Sequence, residues 1–427
     1  MGEWVKLVRG TTYKGYLVGK PGPVLLGLSS ISPNGGFRRT NFETYGGDCA
    51  KNIVVNSGDI YVSLKDVTQS ADLLGAVARL PKDISSGRLT QDTVRLIAIR
   101  KDTPWDYIYW LLRTPQYRNF CSRYATGTTT LGLGRDDFLG YPVPDFTDQR
   151  RFIVQALEAI ERRHEELSFQ SETLESLART IFKSWFVDFD PVRARAEGRE
   201  PAGMDAATAA LFPSTFEDSE LGPIPQGWTI HGIDTIATFL NGIALQKYPA
   251  MEGEEWLPAI KIAQLKCGSV DGADRISPSI PEKYIVQDGD LLFSWSGSLE
   301  VEFWTGGKGA LNQHLFKVFS AQFPQWFVYL WLRFHLDGFR EIAESKVTTM
   351  GHIQRHHLSE AIVVIPPPET LRGLDRFLGP LIEKVVAGRL QARTLAELRD
   401  TLLPRLISGK LRVPEAEAML TGGCREV

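Results

Sequence analysis

The stretch of residues 147–185 constrains the fold most, because its apolar and small residues recur at alternating steps of four and three. The recurring residues are Ile153, Leu157, Ile160, His164, Leu167, Ser171, Leu174, Ala178, Ile181 and Trp185. This spacing keeps one stripe on one side of a helix and is typical of a coiled-coil seam. Neither Pro nor Gly interrupts the stretch, so we expect a helix of about 38 residues and roughly 57 Å. Such a helix needs a partner for its seam, because it is marginally stable alone in water.

A second copy of this seam lies 221 residues further along the chain. Its residues are Leu374, Leu378, Leu381, Val385, Gly388, Ala392, Leu395, Arg399, Leu402 and Leu406. We therefore expect two long helices that pack on each other, with their closest approach at the small residues Ser171, Gly388 and Ala392. Pro380 is expected to kink the second helix or reset its start, and Pro404 is expected to end it early.

The composition is that of an ordinary globular protein with room for two or more domains. The chain has 427 residues, of which 43% are hydrophobic and 23% charged, and its formal net charge is −3. That charge argues against a uniformly basic nucleic-acid coat, although local basic clefts remain compatible with it. The four cysteines lie far apart without a CxxC pair, which indicates neither a disulfide framework nor a zinc site. Because the chain shows no signal-peptide pattern and no long apolar run, we expect a cytoplasmic, soluble protein.

Two segments with similar outlines alternate with the two seams. Residues 1–146 are predicted to be mostly short β-branched strands separated by Gly, Pro, Asn and Ser clusters, followed by an aromatic helical region at 105–124. Residues 223–366 repeat this outline: 288–294 resembles 57–63, 348–351 resembles 129–132, and an aromatic helix returns at 326–339. The order is globule, long helix, globule, long helix. This predicts an α+β fold whose repeated frame carries surfaces that differ.

Signatures of catalysis are not found in the sequence. A GxxxxGK[ST] phosphate loop, a glycine-rich dinucleotide turn, a Gly-x-Ser-x-Gly elbow and an Asn-Pro-Pro-aromatic loop are all missing. Glu344-Ser-Lys346 matches only the E-x-K half of a nuclease site, and no Pro-Asp element precedes it. His352, His356 and His357 are of a ligand type, but without Cys or carboxylate partners nearby we expect polar contacts and no metal site.

Loops rich in hydrogen-bond donors stand out on both globular segments. Arg and Lys suit guanine edges and phosphates, Asn and Gln suit adenine, and Ser and Thr suit either. The candidate DNA-binding residues of the first segment are Arg38, Arg39, Lys65, Gln69, Thr128, Thr129, Thr130 and Arg135. Those of the second segment are Lys261, Gln264, Lys266, Ser294, Trp295, Ser296, Asn312, Gln313, His314, Lys346, His352, Gln354 and Arg355.

Four further motifs occur in order along the chain. They are Phe-Lys-Ser-Trp-Phe-Val-Asp-Phe-Asp-Pro-Val at 182–192, Leu-Gly-Pro-Ile-Pro-Gln-Gly-Trp at 221–228, Asp-Gly-Asp-Leu-Leu-Phe-Ser at 288–294 and Leu-Leu-Pro-Arg-Leu-Ile-Ser-Gly-Lys-Leu at 402–411. In combination they resemble the specificity (S) subunit of Type I restriction-modification enzymes, and the resemblance spans nearly the whole chain.

The resemblance implies two pseudo-repeated target-recognition domains, each a twisted β-sheet with helices, separated by two long antiparallel helices that form a coiled-coil-like spacer. The segments would be target-recognition domain 1 at 1–146, spacer helix 1 at 147–186, a connector at 187–222, target-recognition domain 2 at 223–366, spacer helix 2 at 367–411 and a C-terminal tail at 412–427. The main seam residues of the spacer would be Ile153, Leu157, Ile160, Leu167, Leu174, Ile181, Leu374, Leu378, Leu381, Val385, Leu395 and Leu402.

The resemblance also implies a non-catalytic, sequence-specific subunit that binds double-stranded DNA. It would read a bipartite target, one half-site per domain, and direct two methyltransferase (M) subunits and restriction/translocase (R) subunits to it. S-adenosylmethionine, ATP and Mg would belong to those partners, and this chain would hold no cofactor. A bipartite target also follows from the expected geometry, because two DNA-binding domains on a stiff helical spacer contact DNA only at separated places.

Two other classes of protein remain open. One is a stand-alone restriction nuclease of similar architecture, which would require catalytic carboxylates and a metal ion. The other is an interaction scaffold that does not bind DNA. A cleavage assay with Mg²⁺ would detect the nuclease, and protection of DNA in two separate stretches would exclude the scaffold.

Overall fold

The two long helices lie close to their predicted bounds in the computed structural model of the chain, which describes residues 1–33, 35–39, 42–68, 70–220, 222–345 and 351–408. The first long helix is Asp148–Phe182, continued by a π-helical turn at Lys183–Val187, and the second is Pro368–Ser408. Thr147 caps the first, since its Oγ1 accepts a hydrogen bond from the backbone N–H of Arg150 at 3.4 Å. The α+β class and the two long helices are confirmed.

The prolines of the second long helix neither reset its start nor end it early, which corrects the expectation for Pro380 and Pro404. The helix is continuous over Pro368–Ser408. Gly379 precedes Pro380, and a glycine avoids the clash that a proline ring makes with the Cβ of the preceding residue. Pro380 is exposed, so the backbone carbonyl that loses its helical partner there can bind water instead.

The chain divides into two compact units, and each long helix has residues in both. Unit 1 comprises Met1–Arg162 and Leu395–Val427, and unit 2 comprises Arg163–Thr394. Each unit thus contains one of the two globular segments together with parts of both helices. The finer boundaries between recognition domains, spacer helices and connector stay predictions.

Within each unit the two helix segments run antiparallel. In unit 1, Arg150 Nε donates to the carbonyl oxygen of Leu406 at 3.1 Å, and further along Arg399 forms an ion pair with Glu161 at 3.4 Å. In unit 2 the corresponding contacts join two pairs of residues: Ser171 with Gly388, and Trp185 with Phe377, whose ring centroids lie 6.0 Å apart. The residue numbers fall on one helix as they rise on the other, as antiparallel packing requires.

The seam residues are largely withdrawn from solvent. Those that are buried are Ile153, Leu157, Ile160, Leu167, Leu374, Leu378, Val385 and Leu402. Those that are half-buried are Leu174, Ile181, Leu381 and Leu395. The helices do not bury this surface against each other alone. Ile153 and Leu157 share a core with Trp110 of the globular segment in unit 1, and Leu374 and Leu378 share one with Trp326 in unit 2.

A four-stranded antiparallel sheet, here called the central sheet, has the same strand order in both units. In unit 1 the order is Val5–Arg9, Thr93–Ala98, Ile60–Ser63 and Val77–Arg79. In unit 2 it is Thr238–Asn241, Leu315–Phe319, Leu291–Ser294 and Val301–Phe303. The registers also agree, because Ser63 pairs with Thr93 and Ser294 pairs with Leu315 at the same end of the sheet. The repeat seen in the sequence is therefore a repeat of topology.

A second sheet, the side sheet, also matches between the units. In unit 1, Val24–Leu26 runs parallel to Ser86–Leu89, which pairs antiparallel with Val54–Asn56. In unit 2, Leu257–Ile260 runs parallel to Gly309–Leu311, which pairs antiparallel with Ile285–Val286, and Arg275–Ile276 adds an outer strand. Parallel pairing between distant segments leaves no local hairpin signal in the sequence.

A third pairing connects the end of the central sheet to a late loop in each unit. In unit 1, Lys65 pairs with Gly132 in a small sheet formed by Lys65–Asp66, Leu131–Leu133 and Ala125–Thr126. In unit 2 the matching bridge joins Ser296 to His352. Gly132 is therefore equivalent to His352, and our alignment of Gly132 with Gly351 was one residue out.

Helices and short strands complete the two units. Unit 1 also contains the helices Trp105–Leu111, Pro115–Arg123 and Arg135–Gly140 and the 3-10 turns Gly15–Leu17, Leu28–Ser30 and Lys51–Ile53. Unit 2 also contains the helices Asp190–Ala196, Ala206–Ala209, Ile233–Ile236, Ile262–Cys267, Gln325–Glu344 and Arg355–Glu360, the strands Phe216–Glu217, Ile224–Pro225, Thr229–Gly232 and Ile362–Ile365, and the 3-10 turns Leu245–Lys247 and Glu282–Tyr284. Among the described residues, none of the helices is long and apolar enough to span a bilayer.

The connector contributes to the core of unit 2. Phe189, Val192 and Phe212 are buried in the same cluster as Trp228 and as Phe186 of the preceding π-helical turn. The connector is therefore more than a surface segment, because its aromatic side chains Phe189 and Phe212 join this core.

Candidate nucleic-acid interface

Nine of the predicted DNA-binding residues in unit 2 come together where the central sheet ends. We call residues 294–296, 312–314 and 352–355 the unit 2 loop cluster. Trp295 N donates to the carbonyl oxygen of His314 at 3.3 Å, and Ile353 N donates to that of Trp295 at 2.9 Å. Three loops that are distant in sequence therefore meet at Trp295, whose ring lies 5.9 Å from that of His314 and 6.4 Å from that of His352.

Trp295 borders a cavity of about 290 Å³. Its apolar wall is formed by Trp295, Phe316, Ile353 and Leu358, and its polar rim by Asn241, His352, Gln354 and Arg355. Trp295 Nε1 donates to Asn241 Oδ1 at 3.1 Å and to the carbonyl oxygen of Gln313 at 3.2 Å. The indole is therefore held by two hydrogen bonds at the edge of an apolar recess.

Members of the unit 2 loop cluster differ in what they present to solvent. Ser294 and Asn312 are buried: the Ser294 hydroxyl donates to the carbonyl oxygen of Ser298 at 2.7 Å, and Asn312 Oδ1 accepts from the His314 backbone N–H at 3.2 Å. These two side chains shape the loops. Gln354 and Arg355 are exposed, whereas Gln313, His314 and His352 are half-buried. Direct DNA contact by any member stays a prediction.

A three-membered chain of side chains runs through this cluster. Ser296 Oγ lies 3.0 Å from His314 Nδ1, and His314 Nε2 lies 3.3 Å from Gln313 Nε2. Because an amide nitrogen only donates, His314 Nε2 is the acceptor there and its Nδ1 carries the proton, which it donates to Ser296 Oγ. The Gln313 amide is thereby oriented, with its oxygen and its second N–H available for another partner.

The remaining candidates of unit 2 lie near the end of the side sheet. Asn312 N donates to the carbonyl oxygen of Ile260 at 3.2 Å, which places Lys261 beside the loop cluster. The Lys261 side chain forms an ion pair with Asp274. Gln264 is mostly buried and its Oε1 accepts from the Lys261 backbone N–H at 3.3 Å, whereas Lys266 is exposed. Lys346 lies outside the described residues.

In unit 1 the candidates fall into two groups. Lys65, Thr128, Thr129, Thr130 and Arg135 surround the small sheet that joins Lys65–Asp66 to Leu131–Leu133, and the threonines and Arg135 are exposed. We call residues 63–65, 90–92 and 132–135 the unit 1 loop cluster.

The second group is Arg38 and Arg39, in a loop whose Gly36 N donates to the carbonyl oxygen of Val77 at 2.8 Å. Arg39 makes a two-point ion pair with Asp83, at 2.7 and 3.0 Å, and the hydrogen bond from Arg39 lowers the pKa of the Asp83 carboxyl. Gln69 lies outside the described residues.

Sequence reasoning missed three polar residues in these places. Asp92 forms an ion pair with Lys65 at 3.2 Å, Arg9 Nε donates to the carbonyl oxygen of Gln91 at 2.9 Å, and Asn241 accepts from Trp295. A signal for Asp92 was present, because Leu89-Thr-Gln-Asp92 and Leu311-Asn-Gln-His314 follow equivalent strands of the side sheets. Arg9 and Asn241 are equivalent strand ends, and nothing local in the sequence marks them.

The frame that carries the loop clusters is tied to the long helices by charged groups. In unit 2, Glu175 of the first long helix accepts a hydrogen bond from the Tyr329 hydroxyl at 2.7 Å and forms ion pairs with Arg389 at 2.6 Å and Arg333 at 3.4 Å. Glu302 forms ion pairs with both arginines. Burial raises the pKa of its carboxyl, although Arg389 opposes the shift. Unit 1 has a related arrangement, in which Arg113 donates to the Tyr109 hydroxyl and Glu161 forms ion pairs with Arg113 and Arg399.

One group of side chains among the described residues has metal-ligand composition. The ligand atoms of His356, His357 and Glu360 lie within 4.8 Å of one another. Glu360 is the carboxylate that sequence reasoning did not pair with these histidines. However, His357 Nδ1 accepts a hydrogen bond from the Gln354 backbone N–H at 2.9 Å. The neutral ring therefore carries its proton on Nε2, the atom that would have to bind the ion.

A larger groove of about 1010 Å³ lies at the start of the second long helix in unit 2. Its lining combines Phe323, Pro324 and residues 365–368 with His231, Arg372 and Asp375. This mixture of prolines and apolar side chains differs from the donor-rich loop clusters.

Comparisons with known proteins place these observations in a family context. No protein-family model matches the chain. The Type I restriction enzyme MjaIX specificity subunit of Methanocaldococcus jannaschii is 24% identical over 324 residues, which cover 73% of this chain and 70% of the relative. The Type I restriction enzyme HindI specificity subunit of Haemophilus influenzae is 21% identical over 360 residues, covering 72% and 77%.

A solved structure agrees at the level of the fold. The crystal structure of the Type I restriction-modification S subunit from M. genitalium matches with a TM-score of 0.53 at 14% sequence identity, over 95% of this chain and 94% of that one. The resemblance to Type I specificity subunits that the motifs indicated is therefore confirmed.

Proposed function

We propose that this chain is the DNA-specificity subunit of a Type I restriction-modification enzyme. It reads a bipartite target in double-stranded DNA, one half-site with each loop cluster, and it directs methyltransferase and restriction subunits to that target. The chain itself is non-catalytic. S-adenosylmethionine, ATP and Mg belong to the partner subunits in this proposal.

The observation that carries the proposal is the relation between the two loop clusters. They occupy equivalent places on matching central sheets, yet several of their residues differ: Lys65 against Ser296, Asp92 against His314, and Gly132 against His352. A repeated frame with different donor sets is what reading two unlike sequences requires, because base identity is recognised through donor and acceptor patterns. A scaffold with one type of partner has no need of this divergence.

The long helices suit a spacing and docking role. They pack antiparallel within each unit, and Glu161 and Glu175 connect them to the globular segments through buried or half-buried arginines. Rigid attachment of this kind would fix each loop cluster relative to the helix segments of its own unit and would leave the outer helix faces for the methyltransferase subunits. The relatives named as specificity subunits support the same assignment.

The proposal is tested by protection mapping on DNA. The full chain, purified with its methyltransferase partners, is incubated with duplexes from its host genome, and protected bases are mapped. We expect two short protected stretches separated by unprotected bases, together with methylation that requires both stretches. One continuous stretch, or none, would refute the proposal.

The two other classes give different results in the same experiment. A scaffold leaves the DNA unprotected while the partner subunits still assemble on the chain. A stand-alone nuclease cuts the duplex when Mg²⁺ is added to this chain alone.

A further inference from the structure

We propose that each loop cluster reads one base pair at the same end of its central sheet, and that the two base pairs differ. In unit 1, Lys65 and Asp92 read a G·C pair. In unit 2, Gln313, held by His314 and Ser296, reads an A·T pair. The inference rests on the proposed function and adds to it the residues and the bases at one position of each half-site.

The two positions are equivalent because the backbone around them is the same. Three hydrogen bonds between main-chain atoms recur at nearly equal lengths. The bond from Leu133 N to Leu64 O in unit 1, at 3.0 Å, matches that from Ile353 N to Trp295 O in unit 2, at 2.9 Å. The bond from Gly10 N to Thr93 O, at 3.1 Å, matches that from Gly242 N to Leu315 O, at 3.0 Å. The bond from Thr90 N to Leu26 O matches that from Asn312 N to Ile260 O, and both are 3.2 Å long. Residues 65 and 92 therefore correspond to residues 296 and 314. Position 313 corresponds to position 91, which is glutamine in both units, but only Gln313 is followed by a histidine.

The buried apolar residues around these positions have the same chemical type in both units. The polar pair, which is Lys65 and Asp92 in unit 1 and Ser296 and His314 in unit 2, does not. Leu133 and Phe138 of unit 1 correspond to Ile353 and Leu358 of unit 2, and all four are buried. At the polar pair, an ammonium and a carboxylate 3.2 Å apart in unit 1 are replaced by a hydroxyl and an imidazole 3.0 Å apart in unit 2. The two units thus share an apolar frame and differ in the polar chemistry at this end of the sheet.

The chemistry of the unit 1 pair fits a G·C pair. The Lys65 side chain is 41% exposed and that of Asp92 is 24% exposed. A partly exposed ion pair of this kind is weak and opens readily for a better partner. An ammonium donates to the O6 and N7 acceptors of guanine, and a carboxylate accepts from the N4 amino group of cytosine.

The chemistry at the unit 2 position fits an A·T pair. The Gln313 amide, fixed through one N–H by His314, retains an oxygen and a second N–H, which is the bidentate set that adenine N6 and N7 require. Trp295 lies next to Gln313, and its cavity offers an apolar wall with Phe316 and Ile353. Such a wall suits the C5-methyl group of thymine.

Selection from a random duplex library tests the inference. The full chain with its methyltransferase partners selects its target, and the motif is compared with those of Lys65→Ala, Asp92→Asn, Gln313→Ala and His314→Ala. Lys51→Ala and His231→Ala are matched controls, because both side chains are exposed and lie outside the loop clusters. We expect Lys65→Ala and Asp92→Asn to relax one G·C position in one half-site. Gln313→Ala and His314→Ala should relax one A·T position in the other half-site.

Each relaxation should lower discrimination by about tenfold or more, the usual value of one good base contact. Replacing the thymine of that A·T pair by uracil, which lacks the methyl group, should weaken wild-type binding and leave binding by Gln313→Ala less affected. Thermal melting of each variant checks that the chain is folded.

The outcomes separate this inference from the proposed function. A wild-type motif with two half-sites that none of the four variants changes, or that Lys65→Ala changes at an A·T position, overturns the inference alone. A wild-type chain that selects no bipartite motif overturns the proposed function and the inference with it.

Discussion

Gly388 of the second long helix lies directly against Ser171 of the first in unit 2, so closely that a Cβ at position 388 would stand 2.6 Å from Ser171 Oγ. Both residues are buried. Small residues thus set the closest approach of the helices there, as the narrow seam predicted. Glycine costs a helix about 1 kcal/mol relative to alanine, and the contact gives a reason for that cost.

We expect Gly388→Val to lower the free energy of unfolding by about 1–3 kcal/mol, because the added methyl groups overpack the contact. Urea denaturation measures the change. Adding Ser171→Gly to the variant should restore part of the loss, since the two side chains compete for one space. Gly338→Ala is the control: a Cβ there meets no described residue within 4 Å apart from its chain neighbours and the backbone of its own helix, and the variant should be slightly more stable. Equal losses at both glycines would contradict the packing argument.

Glu175 forms ion pairs with two arginines in unit 2, so its removal should lower the free energy of unfolding. Its side chain is 11% exposed and contacts Arg333 and Arg389. We expect Glu175→Ala to destabilise unit 2 by about 3–5 kcal/mol, the range for breaking a buried ion pair on one side only. Chemical denaturation followed by tryptophan fluorescence measures this. Glu166→Ala, which breaks an exposed pair with Arg163, should change stability by less than about 1 kcal/mol.

His335 should make the stability of unit 2 depend on pH. Burial lowers the pKa of its imidazole, although the hydrogen bond to the carbonyl oxygen of Ile362, at 2.8 Å, opposes the shift. The unfolded chain then binds the proton more readily than the folded one. The His335 contribution to stability is present above about pH 6.5 and is lost as pH falls below it toward the lowered folded value.

We therefore expect His335→Gln to show a smaller fall in the free energy of unfolding between pH 7 and pH 5 than the wild type. Denaturant titrations at several pH values measure it. The exposed His231→Gln should follow the wild-type curve, and a His335→Gln curve parallel to that of the wild type would contradict the assignment.

Arg135 and Arg355 occupy the same position after equivalent loops, and both are exposed. If both contact DNA phosphates, Arg135→Ala and Arg355→Ala should each weaken binding to cognate and unrelated duplexes by similar factors. Each should also reduce the slope of log K against log salt by about 0.9. Binding titrations at several salt concentrations measure it. Arg162→Ala, also exposed, serves as the control, and a loss confined to one base position would reassign the arginine from phosphate contact to base reading.

Local sequence patterns predicted many residues of the candidate interface and missed others. Trp295, His352 and Gln354 were selected as donor-rich loop residues, and the structure gathers them around one cavity. Asp92 and Asn241 were missed because each is brought to its loop cluster only by sheet pairing with a distant strand. The alignment of Gly132 was one residue out because register across a bridge is set by pairing geometry and not by identity.

The amino-acid sequence by itself determined the two long helices, the order of globule and helix, and the family resemblance. These features depend on periodicity and repetition within short windows, and the contacts that enforce them lie one or two turns apart. Tertiary structure decided which seam residues face the other helix and which, like Ile153 beside Trp110, join a globular core. It also decided that Glu175 meets Arg389 and that Lys65 meets Asp92. Such contacts arise only after chain segments far apart in sequence are brought together, so no local pattern encodes them.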